Sequence, residues 1–329
     1  MSDQADLRFG VIGTARVVSY GLVQPARSVP NVKVEAVASR SIDKARSFAS
    51  LHTIPRAFGS YEQLLDDKGI DAVYIALPTA LHAHWVRRAL EAGKHVLCEK
   101  PLASTAQAAQ ELVQCARESK RVLQEGMHVR YLRKLQRQRE LVASGDFGRP
   151  LRIEASFRAP RIPMAEGDFR LRFELGGGAG LDLGCYAVSC LRYVAGSEPA
   201  VLAARHRRVA PQVDRWMRAT CRFPSGAEGV VECGFRGWYS PRVGVDVRCE
   251  RGWVKWEKAG LVHNNEGRVV HEAIPDNWTF QLQIQAFAKS TRGEPSDALP
   301  PEDAVANARV LDAMYEAAGL APRPTTVPT

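Results

Sequence analysis

The fold is indicated most directly by the segment Leu7-Arg8-Phe9-Gly10-Val11-Ile12-Gly13-Thr14-Ala15-Arg16-Val17-Val18. Its apolar run over 7–12 predicts a buried strand, and residues 15–28 can form a helix after a short loop. A strand, a glycine loop and a helix in this order are the context of a dinucleotide-binding fingerprint, whose three glycines allow the turn, the approach of the pyrophosphate and the packing of the helix. Gly13 takes the first role, whereas Ala15 and Val18 stand in place of the other two glycines. Two interpretations therefore stay open, a cofactor loop and a strand–loop–helix turn without a ligand.

From this segment to residue 126, apolar strands alternate with helical patterns. Further strands are predicted at 32–39, 72–77, 95–98 and 122–124, and helices at 41–50, 61–67, 82–92 and 105–119. Strands that alternate with helices at this spacing indicate a parallel, doubly wound sheet of the Rossmann type.

The pattern changes after residue 150, where extended runs are joined by Gly, Pro and Asn turns. The runs are 151–158, 200–209, 216–223, 228–235, 243–249, 252–257 and 268–273, and one helix interrupts them at 181–194. They predict an open, mainly antiparallel sheet. Helices follow at 279–291 and 301–317, and 320–329 is expected to be a loose tail.

The expected fold class is α/β with two domains, which suits a chain of 329 residues. A doubly wound Rossmann domain is predicted over 1–126, and an α+β domain over 127–329. We expect the helix 301–317 to pack back on the first domain.

Composition excludes several classes of protein. The net charge of +9 would be compatible with nucleic-acid binding, but the basic residues are scattered along the chain. In the densest basic run, 130–139, Leu132 and Leu135 alternate with basic residues, which is typical of the solvated face of an amphipathic helix. The charge suits an anionic small molecule better, so no nucleic-acid partner is expected. The seven cysteines have no metal-ligand spacing, which predicts reduced thiols and no metal. The sequence offers neither a signal peptide nor an apolar stretch long enough for a membrane span, so we expect a cytoplasmic protein with no membrane partner.

Residues at the ends of two strands indicate a site. Strand 32–39 ends in Ser39-Arg40, with Lys44 one helical turn further on, where an NAD enzyme usually has an acidic residue. These side chains suit a 2′-phosphate, so NADP(H) is preferred and NAD(H) stays possible; the alternative is a surface arginine that begins a helix. Strand 95–98 runs into Glu99-Lys100-Pro101 at the sheet edge where ligands bind, which places Lys100 where a nicotinamide ring would lie.

Four stretches together resemble the glucose–fructose oxidoreductase, inositol dehydrogenase and rhizopine-catabolism family (Gfo/Idh/MocA), and the resemblance covers nearly the whole chain. They are 10–15 (GVIGTA), 78–82 (PTALH), 92–101 (AGKHVLCEKP) and 176–186 (GGGAGLDLGCY). The resemblance implies a bound nicotinamide cofactor and a small-molecule substrate. The residues expected to bind the cofactor are Gly13, Thr14, Ala15, Arg16, Ser39, Arg40, Lys44, Leu77, Pro78, His82, Glu99 and Lys100.

The resemblance also implies three catalytic residues. Lys100 would contact the reacting oxygen and stabilise the developing alkoxide. Asp182 would orient the substrate hydroxyl, and Tyr186 would accept its proton with a pKa lowered by Lys100. A spacing of four on a helix puts Asp182 and Tyr186 on one face. The alternatives are a carboxylate at a helix start and a half-buried packing aromatic.

A tyrosine at position 186 is similar to the sugar dehydrogenase, dihydrodiol dehydrogenase and sugar ketoreductase branch. The expected activity is hydride transfer between nicotinamide C4 and a carbinol or ketone carbon of a sugar, polyol, cyclic diol or keto-sugar. The run 127–133 departs from that branch, and Arg161, Asp168 and Arg170 are either substrate contacts or surface ion pairs; of these, Arg170 is expected to bind substrate. A regulatory or non-catalytic cofactor-binding protein is the alternative. The family implies a homodimer or homotetramer.

Overall fold

The computed structural model describes residues 5–159, 164, 167–235 and 241–325. The chain divides into two compact units, one formed by residues up to 128 with 278–305, and the other by 129–277 with the residues from 306 onward. The domains predicted from the sequence, 1–126 and 127–329, do not include this return of residues 278–305 to the first unit. The boundary between the units falls inside the helix Pro301–Ala317, most of which belongs to the second unit.

Within the described residues, the first unit has a sheet of six parallel strands in the order β3-β2-β1-β4-β5-β6. The strands are β1 Leu7–Ile12, β2 Val32–Ala38, β3 Arg56–Phe58, β4 Ala72–Ile75, β5 His95–Glu99 and β6 Leu123–Gly126. The doubly wound sheet is confirmed, and its strand order reverses between β1 and β4, where ligands bind in such sheets. The sequence pattern did not predict β3, because its three half-buried residues are too few to show a period.

Three helices of the first unit begin at side-chain caps. Ser41, Ser60 and Thr105 each accept a backbone N–H from the third following residue, which fixes three of the helix starts. The helices of this unit are Gln24–Ala26, Ile42–His52, Tyr61–Asp66, His82–Glu91, Ala106–Ser119 and Thr279–Thr291. The last of them packs its Phe287 ring 5.6 Å from that of Phe9 on β1, so the returning segment completes the core under the sheet.

The second unit contains, in the part of the chain that the structure describes, an eight-stranded sheet of order β14-β13-β12-β11-β7-β10-β9-β8. Its strands are β7 Pro150–Arg158, β8 Ala200–Ala210, β9 Val213–Arg222, β10 Glu228–Gly234, β11 Arg242–Cys249, β12 Gly252–Glu257, β13 Gly260–Asn265 and β14 Arg268–Ala273. Every pairing is antiparallel except β7 with β10, which confirms the mainly antiparallel sheet. The prediction missed β13, because its polar end 263–265 resembles a turn.

Helices cover one face of this second sheet. They are Arg133–Ala143 and Cys185–Ala195. The helix Pro301–Ala317 bonds to the carbonyl of Cys185 through Asn307 and to Asp214 of β9 through Tyr315. The expectation of a loose tail over 320–329 is wrong for the residues described there, because Leu320 is 5% exposed and Arg323 only 2%.

Candidate functional site

The loop after β1 requires glycine at one position. Gly13 has φ +101°, and a Cβ there would lie 2.6 Å from the Ala76 carbonyl oxygen, so a side chain is excluded by both conformation and space. Its N–H donates to the Ala38 carbonyl at 3.0 Å, which ties the loop to the end of β2. Thr14 and Ala15 are half-buried and Arg16 is exposed, so this loop presents backbone and small side chains at the carboxyl edge of the sheet.

A different glycine allows the first helix to pack closely. Val18, which stands at the third glycine position of the fingerprint, is fully buried in the core. The predicted helix 15–28 is present as a continuous helical run over 17–26, which contains the π-helical turn Ser19–Val23 and ends in the α-helical turn Gln24–Ala26. A Cβ on Gly21 would lie 2.8 Å from the Tyr74 hydroxyl, so Gly21 supplies the close approach that Val18 cannot.

The Tyr74 hydroxyl, for which Gly21 leaves room, is part of the site. Tyr74 lies in β4, fully buried, and donates a hydrogen bond to the buried Glu99 carboxylate at the end of β5. The next residue is Lys100, which is half-buried. A polar contact inside the sheet therefore fixes the residue that precedes the lysine.

Two further buried contacts hold the turn after Lys100. The His82 ring lies with Nδ1 2.8 Å from the Pro101 carbonyl oxygen and Nε2 2.8 Å from that of Leu77. The Glu125 carboxylate accepts the N–H of Leu102 at 2.8 Å. The Lys100–Pro101 peptide bond is cis. Hydrogen bonds on both sides of Lys100 thus fix the backbone on which it stands, and His82 joins this turn to the loop after β4.

The surroundings of Lys100 within its unit favour neutral histidines. Burial, with Lys100 as a smaller contribution, lowers the pKa of His82 despite its two backbone contacts. Burial and then Lys100 lower the pKa of His128 to about 4. His128 stacks on Phe280 with ring centroids 4.1 Å apart, and its Nδ1 lies 2.9 Å from the Thr279 hydroxyl. Burial therefore disfavours the charged form of both rings.

The end of β2 carries the residues expected to choose the cofactor. Ser39 is buried, and its N–H donates to the Phe58 carbonyl at 3.2 Å. Arg40 is exposed and close enough to Tyr61 to influence its phenol, and the Tyr61 ring meets Trp85 edge-on at 4.8 Å. Burial raises the pKa of Tyr61 even though Arg40 opposes the shift, so the phenol stays protonated.

These features fit a dinucleotide that carries a 2′-phosphate. Gly13 lets the loop close tightly against the end of β4, and Arg40 presents a guanidinium at the end of β2, where NAD enzymes usually have an acid. Lys44, one turn into the next helix, is exposed and adds a second cation. Leu77 and Pro78, half-buried after β4, complete the edge near the point where the strand order reverses.

The second unit holds the other predicted catalytic residues on a widened helical turn. Gly176 and Gly178 have φ of +78° and +126°, and a Cβ on Gly177 would lie 2.7–2.8 Å from three carbonyl oxygens. The chain then forms the π-helix Gly180–Gly184 and continues as the helix Cys185–Ala195. Asp182 lies in the π turn and Tyr186 in the first α turn, both half-buried. π turns of this kind are frequent at functional sites.

Asp182 is paired with the arginine expected to bind substrate. Arg170 Nε donates to Asp182 Oδ2 at 2.8 Å, and its Nη1 lies 3.3 Å from Asp168 Oδ1. Burial opposes the charge, but the two carboxylates raise the pKa of Arg170 above its ordinary value. The Tyr186 ring stacks on Phe157 of β7 with centroids 5.6 Å apart. The structure thus brings Arg170 and Asp182 together in one partly buried ion pair; Arg161 lies outside the described residues.

Sequence reasoning missed several supporting residues. Tyr74 and Glu125 resemble ordinary strand residues, and Tyr61 resembles the apolar start of a helix, so their polar contacts give no local signal. Gly21 carries a usable signal, since an isolated glycine in a helical pattern often marks a close packing contact.

Three other properties bear on the site. Among the described residues, no group of three or more His, Cys, Asp or Glu side chains could hold a metal ion. Each of the seven cysteines is buried and free. None of the described helices is both long and apolar enough to cross a membrane.

Comparison with known proteins identifies both halves of the chain. Residues 7–127 match the family model described as an oxidoreductase family with an NAD-binding Rossmann fold, and 135–255 match the Gfo/Idh/MocA C-terminal domain. The chain is 34% identical over 320 residues to D-xylose 1-dehydrogenase (NADP(+)) 2 of Haloferax volcanii, covering 95% of this chain and 97% of that one. It is 38% identical over 296 residues to dTDP-3,4-didehydro-2,6-dideoxy-alpha-D-glucose 3-reductase of Saccharopolyspora spinosa, covering 87% and 88%.

The fold is also that of a solved enzyme. The structure of KijD10, a 3-ketoreductase from Actinomadura kijaniata in complex with NADP and TDP-benzene, superposes with a TM-score of 0.85 at 27% identity, over 95% of this chain and 98% of that one. These relatives are dehydrogenases and reductases, which favours an enzyme over the non-catalytic alternative. The chain therefore belongs to the Gfo/Idh/MocA family and is an NAD(P)-dependent oxidoreductase.

Proposed function

We propose that this enzyme prefers NADP(H) and interconverts a carbinol and a carbonyl group of a sugar or closely related compound, with Lys100 as its central catalytic residue. The observation that carries the proposal is the turn of Lys100, whose neighbours Glu99, Pro101 and Leu102 each hydrogen-bond with a buried side chain, those of Tyr74, His82 and Glu125. Such fixed surroundings are what a preorganised electrostatic catalyst requires. We propose a division of labour in which 1–126 binds the cofactor and 127–329 carries the substrate-binding residues.

The cofactor preference rests on the end of β2. Arg40 and Lys44 supply positive charge, and Ser39 supplies a hydroxyl. A ribose 2′-phosphate pairs with such donors, whereas NAD lacks the phosphate and gains nothing from them. Gly13 and the loop residues 14–16 are proposed to take the pyrophosphate, and Leu77 with Pro78 to border the nicotinamide.

Two predicted cofactor ligands receive a positioning role. His82 is 1% exposed and Glu99 is 7% exposed, and both are engaged by protein groups. We propose that they act on the cofactor through the backbone of the Lys100 turn and the loop after β4.

The chemistry follows from the residues proposed to face the substrate. The nicotinamide, when bound, gives or takes the hydride. The Lys100 ammonium would stabilise negative charge on the substrate oxygen. The Tyr186 hydroxyl would exchange the proton of that oxygen, and the carboxylate of Asp182, held by Arg170, would orient the reacting hydroxyl.

The substrate class rests on the relatives. An aldose is the first candidate, because the D-xylose dehydrogenase matches nearly the full length of both chains. A nucleotide-linked keto-sugar is the second, because a dTDP-sugar reductase matches 87% of the chain and KijD10 shares the fold throughout. Assembly as a homodimer or homotetramer and a cytoplasmic location stay predictions of the sequence.

A cofactor-dependent turnover panel tests the proposal. Purified enzyme is assayed by nicotinamide absorbance with NADP⁺ and NAD⁺ on aldoses, polyols and cyclic diols, and with NADPH and NADH on keto-sugars, with thermal shift as the binding readout. We expect turnover with NADP(H) on at least one carbohydrate and weaker turnover with NAD(H). Binding of NADPH without turnover on any compound would contradict the proposal and favour a non-catalytic cofactor-binding protein.

A further inference from the structure

A buried ionic cluster in the second unit joins the C-terminal segment to the sheet. Arg323 Nη2 lies 2.8 Å from Asp214 Oδ1 at the start of β9, and both side chains are fully buried. The Tyr315 hydroxyl, from the helix Pro301–Ala317, donates to the same oxygen at 3.1 Å. The guanidinium also lies over the rings of Tyr315 and Phe173, at 4.0 and 5.3 Å. The cluster is therefore both ion-paired and closely packed.

Every member of this cluster also bonds to the glycine turn that precedes Asp182. Asp214 Oδ2 accepts the N–H of Gly180 at 2.7 Å, and the Tyr315 hydroxyl accepts that of Leu181 at 3.0 Å. Arg323 Nε donates to the Gly177 carbonyl oxygen at 3.0 Å. The first N–H groups of a helix lack partners within it, so these bonds replace water at the start of the helix.

The glycines of this turn make the contacts possible. A Cβ on Gly178 would clash with the Asp214 carboxylate, and one on Gly180 with the Tyr315 hydroxyl. The turn is held on its other side as well, because the Gly178 N–H donates to the carbonyl of Arg170 at 3.0 Å. The side chain of Arg170 in turn pairs with Asp182. The glycine turn thus lies between the buried cluster and the Arg170–Asp182 pair.

We propose that Arg323 is a positioning residue, which sets the orientation of Asp182 by clamping the Gly177–Leu181 turn through Asp214 and Tyr315. The inference rests on the proposed catalytic role of Asp182, and it extends the site to a C-terminal segment that sequence analysis treated as loose. Without Arg323 the Asp214 carboxylate would stay buried without its cation, so it would draw in water or turn away from the Gly180 amide. Either change releases the first turn of the helix that carries Asp182.

Arg323→Lys tests the role with little loss of charge. A lysine has a single ammonium group instead of the several N–H donors of a guanidinium. It therefore cannot donate to the Gly177 carbonyl and to Asp214 in the same geometry as Arg323. Arg222→Lys is the matched control, because Arg222 also donates to a backbone carbonyl, that of Gly226 at 3.0 Å, but lies exposed on the same sheet. Both variants are made in the full chain and measured at low temperature, where circular dichroism shows each to be folded.

The first readout is hydrogen exchange of the peptide that spans 176–184. Arg323→Lys should lower its protection by about tenfold or more, while peptides of the first unit stay unchanged. The second readout is kinetic: kcat/KM should fall by about tenfold or more, with the Kd of NADPH within about twofold of wild type. Arg222→Lys should match wild type in both.

Unchanged protection of 176–184 in Arg323→Lys, or normal turnover despite lost protection, would overturn the positioning role. Full recovery of turnover whenever the variant is folded would also overturn it, since a purely structural residue behaves in that way. Failure of the proposed function gives a different result, namely near-normal turnover in Asp182→Asn. The exchange measurement does not depend on catalysis, so the two failures are distinguishable.

Discussion

Replacing Arg40 with aspartate should convert the cofactor preference of this enzyme. Arg40 stands exposed at the end of β2, near the phenol of Tyr61. In the proposed complex it faces the 2′-phosphate, which is the only group that distinguishes NADPH from NADH. Arg40→Asp therefore removes the phosphate partner and supplies the acid that NAD enzymes use for the free ribose hydroxyl.

The magnitude follows from the contact that is lost. A hydrogen bond to a charged group contributes about 1.5–3 kcal/mol, so Arg40→Ala alone should weaken NADPH by roughly 10- to 150-fold. The aspartate adds repulsion of about 1 kcal/mol against the phosphate at about 4 Å in water, a further several-fold loss. NADH should change by less than about threefold, because it has no phosphate to lose. Tyr61→Phe, which removes a hydroxyl near Arg40 and keeps its charge, should have a smaller effect of the same kind.

Fluorescence titration with NADPH and NADH measures both affinities on the same preparations. Arg46→Asp is the control, because Arg46 is an exposed arginine further along the helix Ile42–His52 and changes the net charge equally. Arg46→Asp should leave the ratio of the two affinities unchanged, which separates a local contact from a general field effect. Equal weakening of NADPH and NADH in Arg40→Asp would refute the assignment of Arg40 to the phosphate.

Two further predictions concern buried polar groups of the first unit. Tyr74→Phe removes a hydrogen bond from the buried Glu99 carboxylate, so urea denaturation should show a loss of about 1–3 kcal/mol in unfolding free energy. The kcat should fall by a larger factor than the affinity for NADPH. An unchanged denaturation midpoint together with an unchanged kcat would contradict this prediction. Burial and a nearby cation lower the pKa of His95 and of His128 to about 4, against about 6.5 in the unfolded chain. Their contribution to stability is therefore complete above about pH 6.5 and is lost as the pH falls toward 4. His128→Phe should reduce the slope of unfolding free energy near pH 5 by about 1.4 kcal/mol per pH unit, and an unchanged slope in denaturation at several pH values would argue against a neutral, half-buried His128.

The fold was largely predictable from the sequence, because two different periodicities mark its two sheets. Alternating strands and helices to residue 126 and hairpin-joined strands after 150 indicated the architecture that the structure has. The misses were elements whose sequence signal is weak: β3 is too short for a period, and β13 ends in residues typical of a turn. The tail was missed for another reason, since Arg323 is buried only because Asp214, over a hundred residues earlier, lies opposite it.

The sequence indicates the motif residues of the candidate site, whose roles stay predictions, but not the residues that surround them. The segments near Gly13, Lys100 and Asp182 could be recognised because close backbone approach and reactive side chains require particular residue types at fixed spacing. The contacts that hold those residues join distant parts of the chain, such as the hydrogen bond from Tyr74 to Glu99, and no local sequence pattern indicates them. The substitution of Val18 for a fingerprint glycine was interpretable only when the structure showed Gly21 against the Tyr74 hydroxyl.

The central role of Lys100 is tested most directly by pre-steady-state hydride transfer in Lys100→Met, with Lys68→Met as an exposed control. Because the ammonium is proposed to act on the developing charge of the substrate oxygen, the rate at saturating NADPH should fall by about 10²- to 10³-fold. The Kd of NADPH should stay within about threefold of wild type, and Lys68→Met should match wild type. Hydride transfer at a near-normal rate in Lys100→Met would contradict the account.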